Sequence, residues 1–257
     1  MSTKHICQSV SLSLVLMLAL AFPVNSSGRE KPWTQLTPNE VFGDPKVRAL
    51  AVAATKGDTA KLDSLVKAGV DVNSRGRHGL TPLFSAVLAE NSVGVEGLLK
   101  DGADPNAVTD DGSSIMHDAA SLISEPAILA LLLKYGGNPN AARVSDGYRP
   151  LHLAISMAPE DKSTEKVLVL IAHNADLNGQ NESGETPLMI SVSLVRYDIA
   201  LLLLEHGADY TLKNKYGNSI RYYIQQNIKT GWRAGPGSEQ YELRKQVLER
   251  LEKNGAR

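Results

Sequence analysis

The feature that most constrains this chain is a short block that returns at nearly fixed intervals. A glycine followed by a Thr-Pro-Leu-His-like tetrad stands at Gly79 to Phe84 (GLTPLF), Gly112 to His117 (GSSIMH), Gly147 to His152 (GYRPLH), Gly184 to Met189 (GETPLM) and, degraded, Gly217 to Tyr222 (GNSIRY). The glycines are 33, 35, 37 and 33 residues apart. A second block keeps the same phase: Gly69 to Asn73 (GVDVN), Gly102 to Asn106 (GADPN), Gly136 to Asn140 (GGNPN), Asn174 to Asn178 (NADLN) and Gly207 to Thr211 (GADYT). Two blocks in one register mean one supersecondary unit copied along the chain. Such a unit cannot bury its apolar face alone and must stack on its neighbours.

The residues of each copy predict a pair of helices. Pro82, Pro150 and Pro187 suit the first turn of a helix, where the missing N–H is not needed and the fixed φ is already helical. Thr81 and Thr186 precede two of these prolines and can cap the free amides, a role Arg149 fills less well. Leucine-rich runs such as Leu131 to Leu133 and Leu201 to Leu204 give the second helix, and Gly102, Gly136 and Gly207 follow it where a left-handed residue ends a helix. The Asp-x-Asn next in line turns the chain into a projecting loop.

These blocks resemble the ankyrin repeat, a turn followed by two helices, over roughly residues 45 to 228. The resemblance implies an all-α fold: an ankyrin-repeat solenoid of about five to six helix-turn-helix repeats with projecting loops, plus a C-terminal capping helix. The ends are altered as caps should be. Asp44 and Pro45 open a first pair at about 45 to 68, with Asp58 capping its second helix. Ser219 to Ile228 reads as a first helix whose partner is displaced by a loop with Gly231, Trp232, Gly235, Pro236 and Gly237. A helix from about Ser238 to Lys253 follows, with Tyr241, Leu243, Val247, Leu248 and Leu251 as its apolar stripe. The copy opening at Gly147 carries four extra residues near Pro159 to Lys162, read as slack between its helices.

Ahead of the repeats, Lys4 and His5 precede an apolar run from Val10 to Phe22, then Pro23 and small polar residues, the layout of a secretory signal peptide. The run is too short to span a bilayer, and it lacks the polar residues at helical spacing that a buried N-terminal helix would carry. Cleavage after Ser26 is expected. The domain reading is therefore 1–26 signal peptide, 27–43 an extended segment, 44–228 the repeat domain and 229–257 a loop and capping helix. The single cysteine, Cys7, falls in the leader, so the mature protein would hold no thiol. An exported chain without disulfides points to the bacterial periplasm.

No nucleophile, base and orienting group come together in the sequence, and no metal or phosphate motif is present. His117 and His152 hold the tetrad's fourth position, where the resemblance implies a structural role, and His173 and His206 close second helices, where a histidine suits the dipole. The expectation is a binding protein and not an enzyme, with no cofactor, no metal, no nucleic acid and no membrane insertion once the leader is gone. The formal net charge of -1 gives no polyanion-binding surface. The sequon Asn181-Glu182-Ser183 carries little weight.

The resemblance further implies that residues beside the tetrad glycine and late in the first helix line a concave face and touch a partner protein. Carried over here, these are Arg77, His78 and Leu88; Asp110, Asp111 and Leu122; Asp146, Tyr148 and Met157; Glu182 and Glu185; and Lys215 and Tyr216. Their charge alternates in sign along the strip, which suits one shaped protein surface. Small exported ankyrin proteins look similar to immunity proteins that neutralise a secreted toxin such as a phospholipase. Two other readings stay open: an accessory protein supporting a periplasmic enzyme such as catalase against peroxide, and an exported effector that binds host proteins.

Overall fold

The computed structural model describes residues 32–158, 160–231 and 236–253, so the expected signal peptide and Trp232 lie outside the described residues. The chain divides into two units, 1–37 and 38–257. Of the first, the described part contains one 3-10 turn, Trp33–Gln35, closed by the Leu36 N–H on the Trp33 carbonyl.

The second unit is all-α. It opens on a single turn, α1 (Pro38–Val41), followed by six helix pairs: α2 (Pro45–Lys56) with α3 (Thr59–Lys67), α4 (Pro82–Leu88) with α5 (Ser92–Lys100), α6 (Ile115–Ser121) with α7 (Pro126–Lys134), α8 (Pro150–Ser156) with α9 (Glu160–Ala172), α10 (Pro187–Ser193) with α11 (Tyr197–Glu205), and α12 (Ile220–Thr230) with α13 (Glu239–Lys253). First helices stack on first helices along the row, and second on second except between α9 and α11, which approach each other least. Among the described residues β-pairing is limited to an isolated antiparallel bridge between Val108 and Ser114.

The caps form as the sequence predicts. Asp44 accepts from the Lys46 and Val47 amides, Asp58 from Lys61, Thr81 from Phe84 and Thr186 from Met189. Each such cap contributes about 1 kcal/mol. Where Thr is missing, the fourth tetrad residue compensates: His117 Nδ1 accepts from the Ser114 amide and His152 Nδ1 from the Arg149 amide, both at 3.0 Å. Leu83, Phe84, Leu98, Ile115, Leu129, Leu132, Ala154, Leu170 and Leu203 are enclosed at 0–1% exposure or less, each worth about 1.5–3 kcal/mol relative to an exposed side chain if of Leu or Phe size.

The second block has a cross-repeat role that its sequence does not reveal. Asn73 donates to the Gly102 carbonyl and accepts from the Asp104 amide; Asn106 bridges Gly136 and Asn138, and Asn140 bridges Asn174 and Asp176 in the same way. Asn178 accepts from the Asp209 amide. This ladder ties each turn to the next. The left-handed residue ahead of it is glycine at 102, 136 and 207 and Asn174 at φ 61, asparagine being a side chain that tolerates this region.

Three expectations change. Residues 27–43 were read as extended, yet 38–41 form a helical turn, and Val41 and Phe42 are buried because Gly76 lets the turn approach closely. The four extra residues of the fourth pair are not slack: they lengthen α9 to 13 residues against nine in α5, α7 and α11, by a turn at its start. Helix α13 does more than close the end, for it packs on α11 and so takes the second-helix place of the sixth pair. Val247 and Leu251 are its fully buried residues, and Gln240 accepts the Tyr197 amide.

Candidate functional site

Each tip is a tight turn closed by a left-handed glycine, Gly79, Gly112, Gly147, Gly184 and Gly217. Backbone bonds join neighbouring tips: the Asp110 amide donates to the His78 carbonyl, Glu182 to Asp146 and Lys215 to Ser183. Along the row of tips, these bonds hold those at Gly79 and Gly112 to each other, and likewise those at Gly147, Gly184 and Gly217. Leu88, Leu122 and Met157 stand at or just beyond the far ends of α4, α6 and α8 and make a second row, about 10 Å from the first for a seven-residue helix.

The carboxylates of the strip are mostly engaged within their own loops. Asp146 takes the Arg143 guanidinium and the Tyr148 amide. Asp111 accepts from the Thr109 hydroxyl and the Ser113 amide, and Glu185 accepts from the Tyr223 hydroxyl at 2.8 Å and from Asn181. Asp110 pairs with Arg75 at 3.0 Å in the open, an interaction worth about 0–1 kcal/mol. Among the described residues Glu182 and Lys215 keep exposed side chains with no ion pair. Arg77 is exposed, and His78 is half-buried in the left-handed region at φ 57. Of the strip's carboxylates, Asp110 and Asp146 are therefore neutralised by arginines, whereas Asp111 and Glu185 are held by neutral donors and keep their charge.

Beside these charges the two rows also present apolar and aromatic side chains. Tyr216 is 78% exposed and Leu122 43%. Tyr148 is half-buried, with Arg143 over its ring and His152 beside it, and burial raises its phenol pKa. Leu88 and Met157 are half-buried. Val144, at 80% exposure, and Tyr222, at 42%, belong to the same rows and were missed from sequence. Val144 carried a signal, being a β-branched apolar residue at a loop tip.

The histidines are built into the stack. His117 Nε2 lies 2.9 Å from the Ala141 carbonyl, while His173 and His206 bond carbonyls one turn back, at Val169 and Leu202. Burial lowers His117 and pushes His152 down to about 4, so both are neutral near pH 7. Asn181 of the sequon is buried, its amide spent on Ser183 and Glu185. Among the described residues no group of three or more His, Cys, Asp or Glu is placed to hold a metal, and no helix is long and apolar enough to cross a membrane. A shallow groove of about 380 Å³ lies between α5 and α7, lined by Val93, Glu96, Ala127, Ala130, Leu131 and Lys134 and touched by none of the expected site residues.

Comparison with known proteins matches the family described as ankyrin repeats (3 copies) at residues 95–178 and 116–214, and the single ankyrin repeat at 78–110. The chain is 28% identical over 194 residues to Protein PhlB of Serratia liquefaciens, covering 75% of this chain and 81% of that protein. It is 34% identical over 142 residues to the nuclear factor NF-kappa-B p105 subunit of Gallus gallus, and 28% identical over 182 residues to the human SH3 and multiple ankyrin repeat domains protein 2. It spans only 14% and 10% of those two proteins, against 54% and 70% of itself.

Proposed function

The chain belongs to the ankyrin-repeat family, and from that premise we propose that it is an exported, periplasmic protein that holds one partner protein across its tips and first helices. In this reading it serves as an immunity protein that neutralises a secreted effector such as a phospholipase, by binding and not by catalysis. Ankyrin repeats are protein-interaction modules, and the observation that carries the reading further is the contrast within the tip rows. Most of their carboxylates are already bonded within the protein, Asp110 and Asp146 to arginines and Asp111 and Glu185 to neutral donors, whereas Val144, Tyr216 and Leu122 stand exposed. Exposed apolar side chains presented along a folded array are what a partner desolvates. The leader-like first 26 residues support export, and the match to 81% of a bacterial protein, PhlB, supports a bacterial setting.

The test is capture with the full-length chain, tagged at its C-terminus and expressed in its own organism, from the periplasmic and the secreted fractions. A single secreted lipase or comparable toxin, retained through a salt wash and inhibited when the two purified proteins are mixed, supports the reading. A housekeeping enzyme such as catalase, retained and still active, replaces it with the accessory-protein reading. Recovery of the chain only from the cytoplasm contradicts export.

A further inference from the structure

Five joints connect the six helix pairs, and the one between the third and fourth pairs is built differently from its neighbours. Its tip bond is missing: by the spacing of the others, the Ser145 amide should donate to the Asp111 carbonyl, and no such bond forms. The loop that closes the fourth pair's tip is one residue longer than the others, its closing bond running from the Arg143 amide to the Tyr148 carbonyl over five residues where the other tips span four.

The core of the same joint is polar. Eight residues ahead of each turn, second helices carry Gly94, Ile128 and Ile199, all buried against the preceding pair, but α9 carries Lys166. Lys166 is fully enclosed, and its Nζ crosses the joint to the Ala120 carbonyl at the end of α6, 3.0 Å away. On the other side of the joint Asp118 of α6 is buried with Oδ2 unpartnered. The charged groups facing these two are Glu90 toward Lys166, and Asp111 and Arg143 toward Asp118. What remains intact is the opposite edge, where Asn140 still bridges Asn174 and Asp176.

We infer that this joint is a hinge at which the stack divides into two cooperative blocks, residues 45–134 and 150–253, pivoting on the Asn140 bridge. Each block holds three helix pairs, the least that a repeat array needs to bury a shared core. An ammonium in the place of an isoleucine and a carboxyl with an unpartnered oxygen both weaken the contact that would otherwise make the row one unit. Burial supports the same picture, driving Lys166 down and Asp118 up, each to about 8. Because Asp110 and Leu122 lie on one side and Tyr148 and Met157 on the other, a partner seated across the tips would staple the hinge shut.

Native-state hydrogen exchange of the full chain, followed by mass spectrometry as urea is raised, tests this. The hinge predicts that amides of α4–α7 share one opening curve and those of α8–α11 another, at least tenfold apart in protection. Lys166→Met, or Lys166→Ile if that variant folds poorly, should bring the two curves together. One common curve for α4–α11 in the unaltered protein overturns the hinge, and so does a break at another joint. Two curves that stay apart in both variants overturn the part given to Lys166.

Discussion

The joint between the third and fourth pairs and the one between the fourth and fifth are assembled from the same blocks and hold together differently. At the latter, the Glu182 amide bonds the Asp146 carbonyl, Ile199 fills the core position, and Asn178 accepts the Asp209 amide. At the former the helices pack closely and the Asn140 bridge forms, while the tip bond is absent and Lys166 and Asp118 are enclosed. The difference teaches that a repeat motif fixes what each unit folds into, whereas the strength of each joint depends on single residues at positions the motif leaves open.

Five substitutions break or sharpen this contrast. The largest effect is expected from Leu132→Asp in α7, where a charge replaces a fully buried leucine in an ordinary part of the core. A loss of about 5 kcal/mol or more should abolish the cooperative transition seen by circular dichroism on heating.

Asp118→Asn comes next, and its effect depends on pH. The folded Asp118 pKa is raised to about 8 from an ordinary value of 3.8 by burial and by Asp111. The folded state therefore binds the extra proton between these values, and the stability so gained is fully present below about 4 and lost as pH rises through 8. His152, pushed down to about 4, works in the opposite sense, its contribution being lost as pH falls through that value. The difference in stability between Asp118→Asn and the parent isolates Asp118. It should shift in favour of the Asn variant by on the order of several kcal/mol from pH 5 to pH 9. A difference independent of pH would show that Asp118 is ionised in the fold at all these values.

Lys166→Met should stabilise by about 1–3 kcal/mol in urea unfolding at pH 7. The folded Lys166 pKa lies near 8 against 10.5 unfolded, so the lysine's own contribution rises with pH across that window and is lost as pH falls through 8. The advantage of methionine should therefore shrink above pH 8. Smallest is the ladder: Asn106→Ala and Asn140→Ala should each cost about 1–2 kcal/mol. If Asn140 is the pivot, its removal should also widen the gap between the two blocks' opening curves, whereas Asn106→Ala should leave that gap alone.

Much of this fold can be read in the sequence because period and punctuation are local. Pro82, Thr81 and Gly102 are each dictated by a helix end, and any chain with those residues in that phase has few other structures open to it. The turn at Pro38 to Val41 was not legible, since it is held by burial of Val41 and Phe42 close to Gly76, far along the chain. Nor did residues 160–162 declare themselves as helix, because residues such as Glu160, Lys162 and Glu165 suit a solvated loop equally well. The site was legible as a set of positions but not as a chemistry. Whether Asp146 faces a partner or Arg143 depends on loop conformation, and a list of charges at the tips overstates how much charge the surface presents.

The most direct measurement is the affinity of the captured partner for three versions of the chain: the parent, the double variant Leu122→Ala with Tyr216→Ala, and Val93→Ser on the second-helix side, 54% exposed beside the shallow groove. Recognition through tips and first helices predicts that the double variant weakens binding by at least tenfold, about 1.4 kcal/mol, while Val93→Ser binds as the parent does. Unchanged affinity for the double variant together with a loss for Val93→Ser would place the partner on the second helices and contradict the tip-centred reading.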